Sequence, residues 1–375
     1  MGKLEKLIQR LCPDGVVYKK LGEICSIEKG TTPIQKAIPG KYPLVVTADN
    51  RLSCSTYQFD GCAVCIPLIS SSGHGKKDLR TLHYQTGKFA LGNILCAVIP
   101  CDKNYIDARF LYIYLLAKKD FLIVPLMRGG ANVSLSTDSL KNIKVPVPPL
   151  EIQQEIVRIL DHFTELTAEL TAELTARKKQ YEYYRDELFR TAKDADIYFL
   201  NEISENCDNQ RKPVTSGNRI AGEYPYYGAS GIVDYVDDYI FDGDYLLISE
   251  DGANLLARST PIAFSISGKN WVNNHAHVLH FDSYGTRRYI EIYLNSIDLS
   301  PYITGGAQPK LNQKNLNKIP IPLPSPDEQC RIVSILDRFD ALCNDLTSGL
   351  PAEIEARKKQ YEYYRDKLLS FQVKT

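Results

Sequence analysis

The undecapeptide ARKKQYEYYRD stands at residues 176–186 and again, letter for letter, at 356–366. Upstream of the two copies, GGANVSLSTDSLKNIKVPVP (129–148) aligns without a gap on GGAQPKLNQKNLNKIPIPLP (305–324). The register continues through Gln153/Gln329, Ile156/Ile332, Asp161/Asp337 and Phe163/Phe339. Further back the match thins to Leu21-Gly22-Glu23-Ile24 against Leu200-Asn201-Glu202-Ile203, Tyr42-Pro43 against Tyr224-Pro225, and Phe59-Asp60-Gly61 against Phe241-Asp242-Gly243. Internal repetition on this scale means that one architecture is used twice. Each half is a variable body followed by a near-constant tail.

The tails carry a helical stripe. Apolar residues recur at Ile152, Ile156, Ile159, Phe163, Leu166, Leu170, Leu174, Tyr181, Tyr184 and Leu188, with no Gly or Pro between them. Steps of three and four over that distance are a coiled-coil pattern. Pro149 suits a first helical turn, and Glu151 and Glu155 face the positive end of the helix dipole. Such a helix is roughly 60 Å long at about 1.5 Å per residue. The second stripe runs from Ile332 to Leu368, but Ser348-Gly349-Leu350-Pro351 should break it, because proline removes a hydrogen bond and clashes with the preceding turn. One continuous helix in the middle and a broken one at the end can bury each other side by side and antiparallel, with Leu4–Leu11 padding the bundle.

The bodies alternate short β-like runs, such as Tyr42–Thr47 and Tyr245–Ser249, with turn signals at Asp251-Gly252, Gly129-Gly130 and Gly305-Gly306. Ala108–Leu116 and Arg288–Leu294 look like short helices packed on those sheets. The expected fold class is α/β (α+β): two globular domains separated by long helices that form an antiparallel coiled coil, with a pseudo-twofold internal repeat. The expected boundaries are 1–148 for the first domain, 149–196 for the central helix, 197–325 for the second domain and 326–375 for the final helix, broken near Pro351.

With 375 residues, 44% hydrophobic and 24% charged, the chain has the composition of a soluble protein with at least two cores. The longest nearly apolar run, Phe89–Pro100, falls short of the roughly twenty residues of a membrane span. The start MGKLEKLIQRLC lacks the apolar centre of a signal peptide, so a cytoplasmic location away from membranes is expected. Ten cysteines without repeated spacing are expected to be reduced thiols. Cys62 and Cys65 have metal-ligand spacing but no second such pair, and their apolar surroundings favour a buried strand, so no metal is expected. His275, His277 and His280 have no carboxylate motif close by and are expected to be structural. The net charge of zero hides an uneven distribution: residues 1–149 carry 20 Lys+Arg against 11 Asp+Glu, and residues 197–325 carry 10 against 14. Only the first body looks plainly basic, as phosphate binding requires.

Body, constant helix, second body, second constant helix: this order resembles the specificity subunit of type I restriction-modification systems. The likeness is carried by P-x-P-P-x-x-x-Q-x-x-I-V-x-x-L-D-x-F (146–163), its degraded partner (322–339), both ARKKQYEYYRD tails, and Tyr224–Gly231 leading to Tyr235 and Phe241-Asp242-Gly243. The resemblance implies that each body is a target recognition domain reading one half of a bipartite site on double-stranded DNA. It implies that the helices fix the gap and dock two methyltransferase subunits, which restriction subunits then join. It also implies that the chain is not itself an enzyme and binds no cofactor, with S-adenosylmethionine, ATP and Mg2+ on the partner subunits. The residues agree, since no phosphate loop, no G-x-G-x-x-G and no Asn/Asp-Pro-Pro-aromatic motif is present. A coiled-coil adaptor with two α/β heads serving another defence or interaction complex is the alternative.

Candidate DNA contacts follow from residue chemistry, Arg suiting guanine, Asn or Gln adenine, and Lys phosphate. In the first body they are Ser72, His74, Lys76, Lys77 and Arg80 in a basic loop, with Arg128 and Asn132 around the Gly129-Gly130 turn. In the second they are Arg211, Lys212, Tyr227, Gln308, Lys310 and Asn312. The glycines are expected to bring backbone close to something, although a plain turn explains them nearly as well. Arg177, Lys178, Tyr183 and Arg185, with their copies Arg357, Lys358, Tyr363 and Arg365, are the candidate partner-docking residues. Identity that extends to polar positions exceeds what core packing requires, and Tyr and Arg are favoured interface anchors. The tandem Thr167-Ala-Glu-Leu170 and Thr171-Ala-Glu-Leu174 is either helical filler or the element that sets the ruler's length.

Overall fold

The computed structural model describes residues 2–72, 75–192 and 195–374. The chain divides into two compact units, Met1–Thr171 with Ile354–Thr375, and Ala172–Glu353. The first unit runs α1 (Lys3–Leu11), β1 (Val17–Lys20), α2 (Leu21–Ile24), β2 (Cys25–Lys29), β3 (Tyr42–Val45), β4 (Leu52–Cys54), β5 (Phe59–Asp60), β6 (Ala63–Pro67), β7 (His83–Gln85), β8 (Lys88–Leu91), β9 (Leu95–Pro100), α3 (Ala108–Leu122), α4 (Thr137–Lys141) and β10 (Lys144–Val147). It then enters α5 (Leu150–Thr191), a continuous helix of 42 residues. The second unit continues with β11 (Asp196–Tyr198), α6 (Leu200–Ile203), β12 (Glu205–Asn206), β13 (Ala221–Gly228), β14 (Gly231–Val236), β15 (Phe241–Asp242), β16 (Tyr245–Ser249), α7 (Asn254–Ala257), β17 (Ala263–Ile266), β18 (Lys269–Val272), β19 (Ala276–His280), α8 (Tyr284–Ser296), α9 (Gln313–Leu316) and β20 (Ile321–Leu323). The chain ends in α10 (Pro326–Asn344) and α11 (Leu350–Leu368).

The two bodies match strand for strand. The first orders its strands β2-β9-β6-β7, β4-β3-β8-β5 and β1-β10, the second β12-β19-β16-β17, β14-β13-β18-β15 and β11-β20. Even the parallel pairs recur, β3 with β8 and β13 with β18. Side-chain alternation explains why the inner strands are almost wholly apolar. Val64 and Ile66 of β6 face a core shared with Phe110 and Leu111 of α3, while Ala63 and Cys65 face Phe59, Phe89 and Leu91 of the other sheet. Leu246 and Ile248 of β16 likewise meet Tyr289 and Ile290 of α8, and Leu247 meets Phe241 and Val272. Each body is therefore a helix layer, two four-stranded sheets and a two-stranded ribbon.

The tails take part in the two cores. In the first unit Ile152, Ile156 and Leu160 of α5 are buried with Leu369, and Tyr361, Leu368 and Phe371 pack against the same cluster. Phe163 stacks on Tyr364 at 5.5 Å. In the second unit Ile332 and Leu336 of α10 are buried with Phe189, and Tyr181 and Leu188 pack beside them. Tyr184 meets Phe339 at 5.8 Å. Antiparallel pairing of β1 with β10 and of β11 with β20 brings the start of one helical stretch next to the end of the other. The paired stretches within each unit therefore run antiparallel. The chain from Gln372 to Lys374 also bonds along Val16, just before β1, as the end of α5 leads by covalent continuity towards β11.

The final helix is interrupted at residues 345–349, ahead of Pro351 rather than at it. Asp345 closes the turn by accepting from the backbone and side chain of Thr347 and from Ser348. A Cβ on Gly349 would crowd the carbonyl oxygens of Ala341, Leu342 and Asp345. Pro351 then occupies the first turn of α11, where its missing N–H costs nothing.

The second unit also buries a polar network, in which His277 is held as a structural histidine by a carboxylate distant in sequence. His277, 1% exposed, sits between Asp208 (Nδ1–Oδ2 2.6 Å) and the Leu311 carbonyl (Nε2–O 2.8 Å). Arg211 reaches Glu250 at 2.7 Å and Asp208 at 3.3 Å, and Lys310 reaches Glu250 at 3.1 Å. Burial raises the Asp208 carboxyl, but the His277 contact, the Val278 N–H and the Arg211 charge outweigh it and leave it below the usual carboxylate range. Glu250 ends low for the same reason, burial being outweighed by Arg211, His277 and Lys310.

Two outcomes are expected. Leu369→Ala, at a position 2% exposed, should destabilise the first unit by about 2–5 kcal/mol in urea denaturation; an unchanged curve would contradict the placement of this tail in that core. Because the Asp208 and Glu250 carboxyls are depressed on folding, their contribution is complete above the unfolded value of about 4 and is lost as pH falls through the folded one. Stability of the second unit should therefore drop below about pH 4, less steeply in Asp208→Asn, and parallel pH profiles for the two proteins would refute the linkage.

Candidate nucleic-acid interface

In the first unit two segments far apart in sequence meet at one edge. Arg128 and Ser134 exchange backbone bonds at 2.8 Å each, closing a hairpin around Gly129-Gly130-Ala131-Asn132. Ser70 donates its N–H to the Val133 carbonyl at 3.0 Å, and Leu135 to Leu68 at 2.8 Å, which docks the 70–80 loop on that hairpin. The loop braces itself: Ser70 Oγ donates to the Lys76 carbonyl (2.6 Å), Ser72 Oγ to Asp78 (2.9 Å), and the Arg80 N–H to Ser71 Oγ (2.9 Å). Leu79 is fully buried and anchors it. Lys76, Lys77, Arg80 and Asn132 are left exposed together, with Ser72 half-buried among them. Arg128 is also exposed, but one of its guanidinium nitrogens is folded onto the carbonyls of Pro125 and Met127. His74 lies outside the described residues.

The glycines here serve the turn itself. Gly129 and Gly305 both have positive φ, 122° and 84°. A Cβ on either would overlap a carbonyl oxygen of its own hairpin, that of Asn132 or of Gln308. The close approach expected from sequence is therefore within the loop, and the exposed tips beyond it are the parts free to vary.

The second unit builds the same hairpin, with Thr304 and Lys310 bonded at 2.7 and 2.8 Å. Gln308 and Lys310 are exposed on it, and the Leu311 N–H ties it to the Glu250 carbonyl. Three of the sequence candidates are committed elsewhere. Arg211 is turned inward, 13% exposed, with its donors on Asp208, Glu250 and the Ala276 carbonyl, so it has no free face for a phosphate. Tyr227 packs on Phe264 beside the apolar cluster of the second sheet. Asn312 caps α9 by accepting from the Asn315 N–H, as Ser136 caps α4. Lys212 stays exposed, its carbonyl taking the Trp271 indole N–H at 2.6 Å.

The same cation–aromatic trio lies on both bodies, and sequence reading missed it. Lys88 stands over Tyr57 (4.9 Å), which meets Tyr42 (4.9 Å); Lys269 stands over Tyr239 (4.5 Å), which meets Tyr224 (5.2 Å). Tyr42 opposite Tyr224 was the only visible signal.

The docking candidates also repeat in geometry. Tyr183 is 65% exposed and edge-on to Tyr184; Tyr363 is 62% exposed and edge-on to Tyr364. Lys178 and Lys358 are exposed. Arg185 and Arg365 lie back over Tyr181 and Tyr361, both at 5.9 Å, and Arg177 and Arg357 bond to Gln180 and Gln360. Each unit thus presents one copy of an exposed Tyr–Lys patch.

Among the described residues, Asp208, Glu250 and His277 are the group whose ligand atoms lie close enough to share a metal ion, all within 4.8 Å. Arg211 and Lys310 already supply positive charge to those carboxylates, so the group is accounted for as an internal network. Cys62 is exposed and Cys65 buried on β6, where burial pushes its thiol up to about 12. No helix among the described residues is long and apolar enough to cross a membrane.

Comparison with known proteins agrees with the duplicated plan. The family described as type I restriction modification DNA specificity domain matches twice, at residues 13–177 and 192–356. A putative type I restriction enzyme specificity subunit of Haemophilus influenzae is 42% identical, covering 98% of each chain. A type I restriction enzyme specificity subunit of Escherichia coli is 36% identical over 73% of each. Among solved structures, the S subunit of a type I system from M. genitalium superposes with a TM-score of 0.58 at 17% identity, covering 94% of both chains, and the HsdS subunit from Thermoanaerobacter tengcongensis with 0.52 at 18%, covering 96% of this chain and 97% of that one. These structural likenesses speak for the fold, and the sequence matches carry the assignment: the chain belongs to the type I restriction-modification DNA specificity family, with two copies of its domain.

Proposed function

We propose that this chain is the DNA-reading subunit of a type I restriction-modification complex, its first body reading one half of a bipartite duplex site and its second body the other. The observation that carries the reading is the contrast within the repeat. Topology matches strand for strand and the ARKKQYEYYRD segments match letter for letter, whereas exposed hairpin residues differ, Asn132 and Ser134 against Gln308 and Lys310. A scaffold kept twice with different exposed tips is what two half-sites of different sequence require. Phosphate contact falls to Lys76, Lys77 and Arg80 in the first body and to Lys212 and Lys310 in the second. Base reading falls to Asn132, Gln308 and, once released from its carbonyls, Arg128.

The Tyr183/Lys178 and Tyr363/Lys358 patches dock two methyltransferase subunits, one on each unit, and the arginines beside them can swing out to join. The chain itself contributes recognition and no catalysis; S-adenosylmethionine, ATP and Mg2+ belong to methyltransferase and restriction partners. Helix α5 sets the gap between the half-sites. Its tandem repeat is suited to this, because Thr164, Thr167 and Thr171 each return their hydroxyl to the carbonyl four residues back. The hydroxyls are thus satisfied inside the helix, and a unit can be added without orphaning a polar group.

Inserting one further Thr-Ala-Glu-Leu unit should lengthen α5 by about 6 Å and widen the modified gap by roughly one or two base pairs at about 3.4 Å each. Modification-sensitive sequencing of DNA exposed to the complex reads this directly, and an unchanged gap would refute the ruler. Lys76→Ala with Lys77→Ala should weaken DNA binding about equally on all sequences and flatten the log–log salt dependence by about two contacts. Binding and salt slope equal to wild type would remove the 70–80 loop from the interface and favour a head that recognises something other than DNA.

A further inference from the structure

Each body is fastened to its long helix by the same polar clamp. In the first unit Gln153, fully buried, accepts from the Asp107 N–H at 2.8 Å and donates to the carbonyls of Tyr105 (3.0 Å) and Pro148 (2.7 Å). Two turns on, Asp161 takes the Arg109 guanidinium at 2.7 and 3.1 Å. Arg109 also lies against the rings of Tyr84 and Tyr112, at 5.1 and 5.2 Å, which themselves meet at 5.8 Å. In the second unit Gln329, 3% exposed, accepts from the Thr286 hydroxyl (2.7 Å) and donates to the Pro324 carbonyl (2.7 Å). Asp337 takes Arg288 at 2.8 Å and the Tyr284 hydroxyl at 3.2 Å. Gln153/Gln329 and Asp161/Asp337 are register mates of the repeat, and Arg109/Arg288 open the matching runs RFLYIYLL and RYIEIYLN on α3 and α8.

Apolar contact between helix and body is non-directional: it holds the two together without choosing one angle between them. The clamp is directional, because a planar amide and a guanidinium–carboxylate fork accept only a narrow range of geometry. Angle matters to a ruler. A body of this size has a radius of gyration of about 15 Å, so a tilt of roughly 13° moves its edge by about 3.4 Å, one base-pair step. We propose that the Arg109–Asp161 and Arg288–Asp337 pairs, with Gln153 and Gln329, are positioning residues for gap discrimination: they fix the attitude of each reading body on its helix and so decide which spacing of half-sites is accepted. This rests on the reading of the chain as a bipartite DNA reader and adds residues to it.

The test uses the chain assembled with its methyltransferase subunits, on duplexes carrying the half-sites that the wild-type complex modifies, with the gap varied one base pair at a time. Asp161→Asn keeps the size of the side chain and removes its charge. The preference for the native gap over gaps one base pair longer or shorter should fall about fivefold, the factor that roughly 1 kcal/mol makes, with the bases read in each half unchanged. Asp161→Glu, which keeps the partner, should restore the preference, and Asp337→Asn should reproduce the loss from the second clamp. A variant that melts lower yet keeps the wild-type gap profile overturns the proposal, as does one whose methylation falls equally at every gap. A wild-type complex with no preferred gap would instead remove the bipartite reading itself, which separates the two failures.

Discussion

A fully buried primary amide at the root of a helix needs partners for both its donors and its acceptor, and the fold of each half follows from supplying them. Gln153 finds them in the chain just before α3 and in the last residues before α5. The P-x-P-P-x-x-x-Q motif thereby acquires a physical meaning. Pro148 ends the β10 run and offers its carbonyl, Pro149 starts the helix, and one turn later the glutamine folds back onto that carbonyl and across to α3. Gln329 repeats this with Pro324 and Thr286. Once the helix leaves the body at a set angle, the stripe beginning Ile152, Ile156 and Leu160 is directed into the core.

The exchange of tails explains why their letters are kept so closely. The end of the first repeat's tail completes the core of the second unit through Tyr181, Leu188 and Phe189, and the end of the second repeat's tail completes the first through Tyr361, Leu368 and Leu369. One surface must fit both α5 beside Phe163 and α10 beside Phe339. A substitution fitted to one core would have to fit its counterpart if the copies were to stay interchangeable. The exposed positions, Tyr183 and Lys178 with Tyr363 and Lys358, meet no such internal demand. Their identity is what the proposed docking of one methyltransferase subunit on each unit would require.

What was legible in the sequence was what is local or repeated. Helical periodicity gave α5, the paired letters gave the duplication, and a cluster of Ser, Gly and Lys gave the 70–80 loop. What stayed hidden depends on residues brought together across the chain. Arg211 carries the charge of a phosphate contact, but the folding of β16 and β19 beside it supplies Glu250 and the Ala276 carbonyl and turns it inward. His277 lacked a carboxylate nearby in sequence because its partner, Asp208, is 69 residues away. Asn312 had the amide of a base reader and the position of a helix cap, and the cap was the nearer partner. The break in the last helix was legible, its cause less so: Asp345 and Gly349 end one helix and Pro351 starts the next.

The same wiring pairs several of the second body's carboxylates inside the fold without changing its net charge. Asp208 and Glu250 are paired with Arg211 and Lys310, Asp234 with Arg219, and Asp244 with Arg287, while His277 is hydrogen-bonded to Asp208. In the first body, Leu68 and Cys96 occupy the strand positions of Glu250 and His277. One copy therefore seats its hairpin on an apolar floor and the other on ion pairs. Each pair takes up a cation along with its carboxylate, so the excess of 14 Asp+Glu over 10 Lys+Arg in residues 197–325 is carried by the rest of the body. At the hairpin Lys310 is exposed but paired with Glu250 at 3.1 Å, and Gln308 stands exposed at the tip.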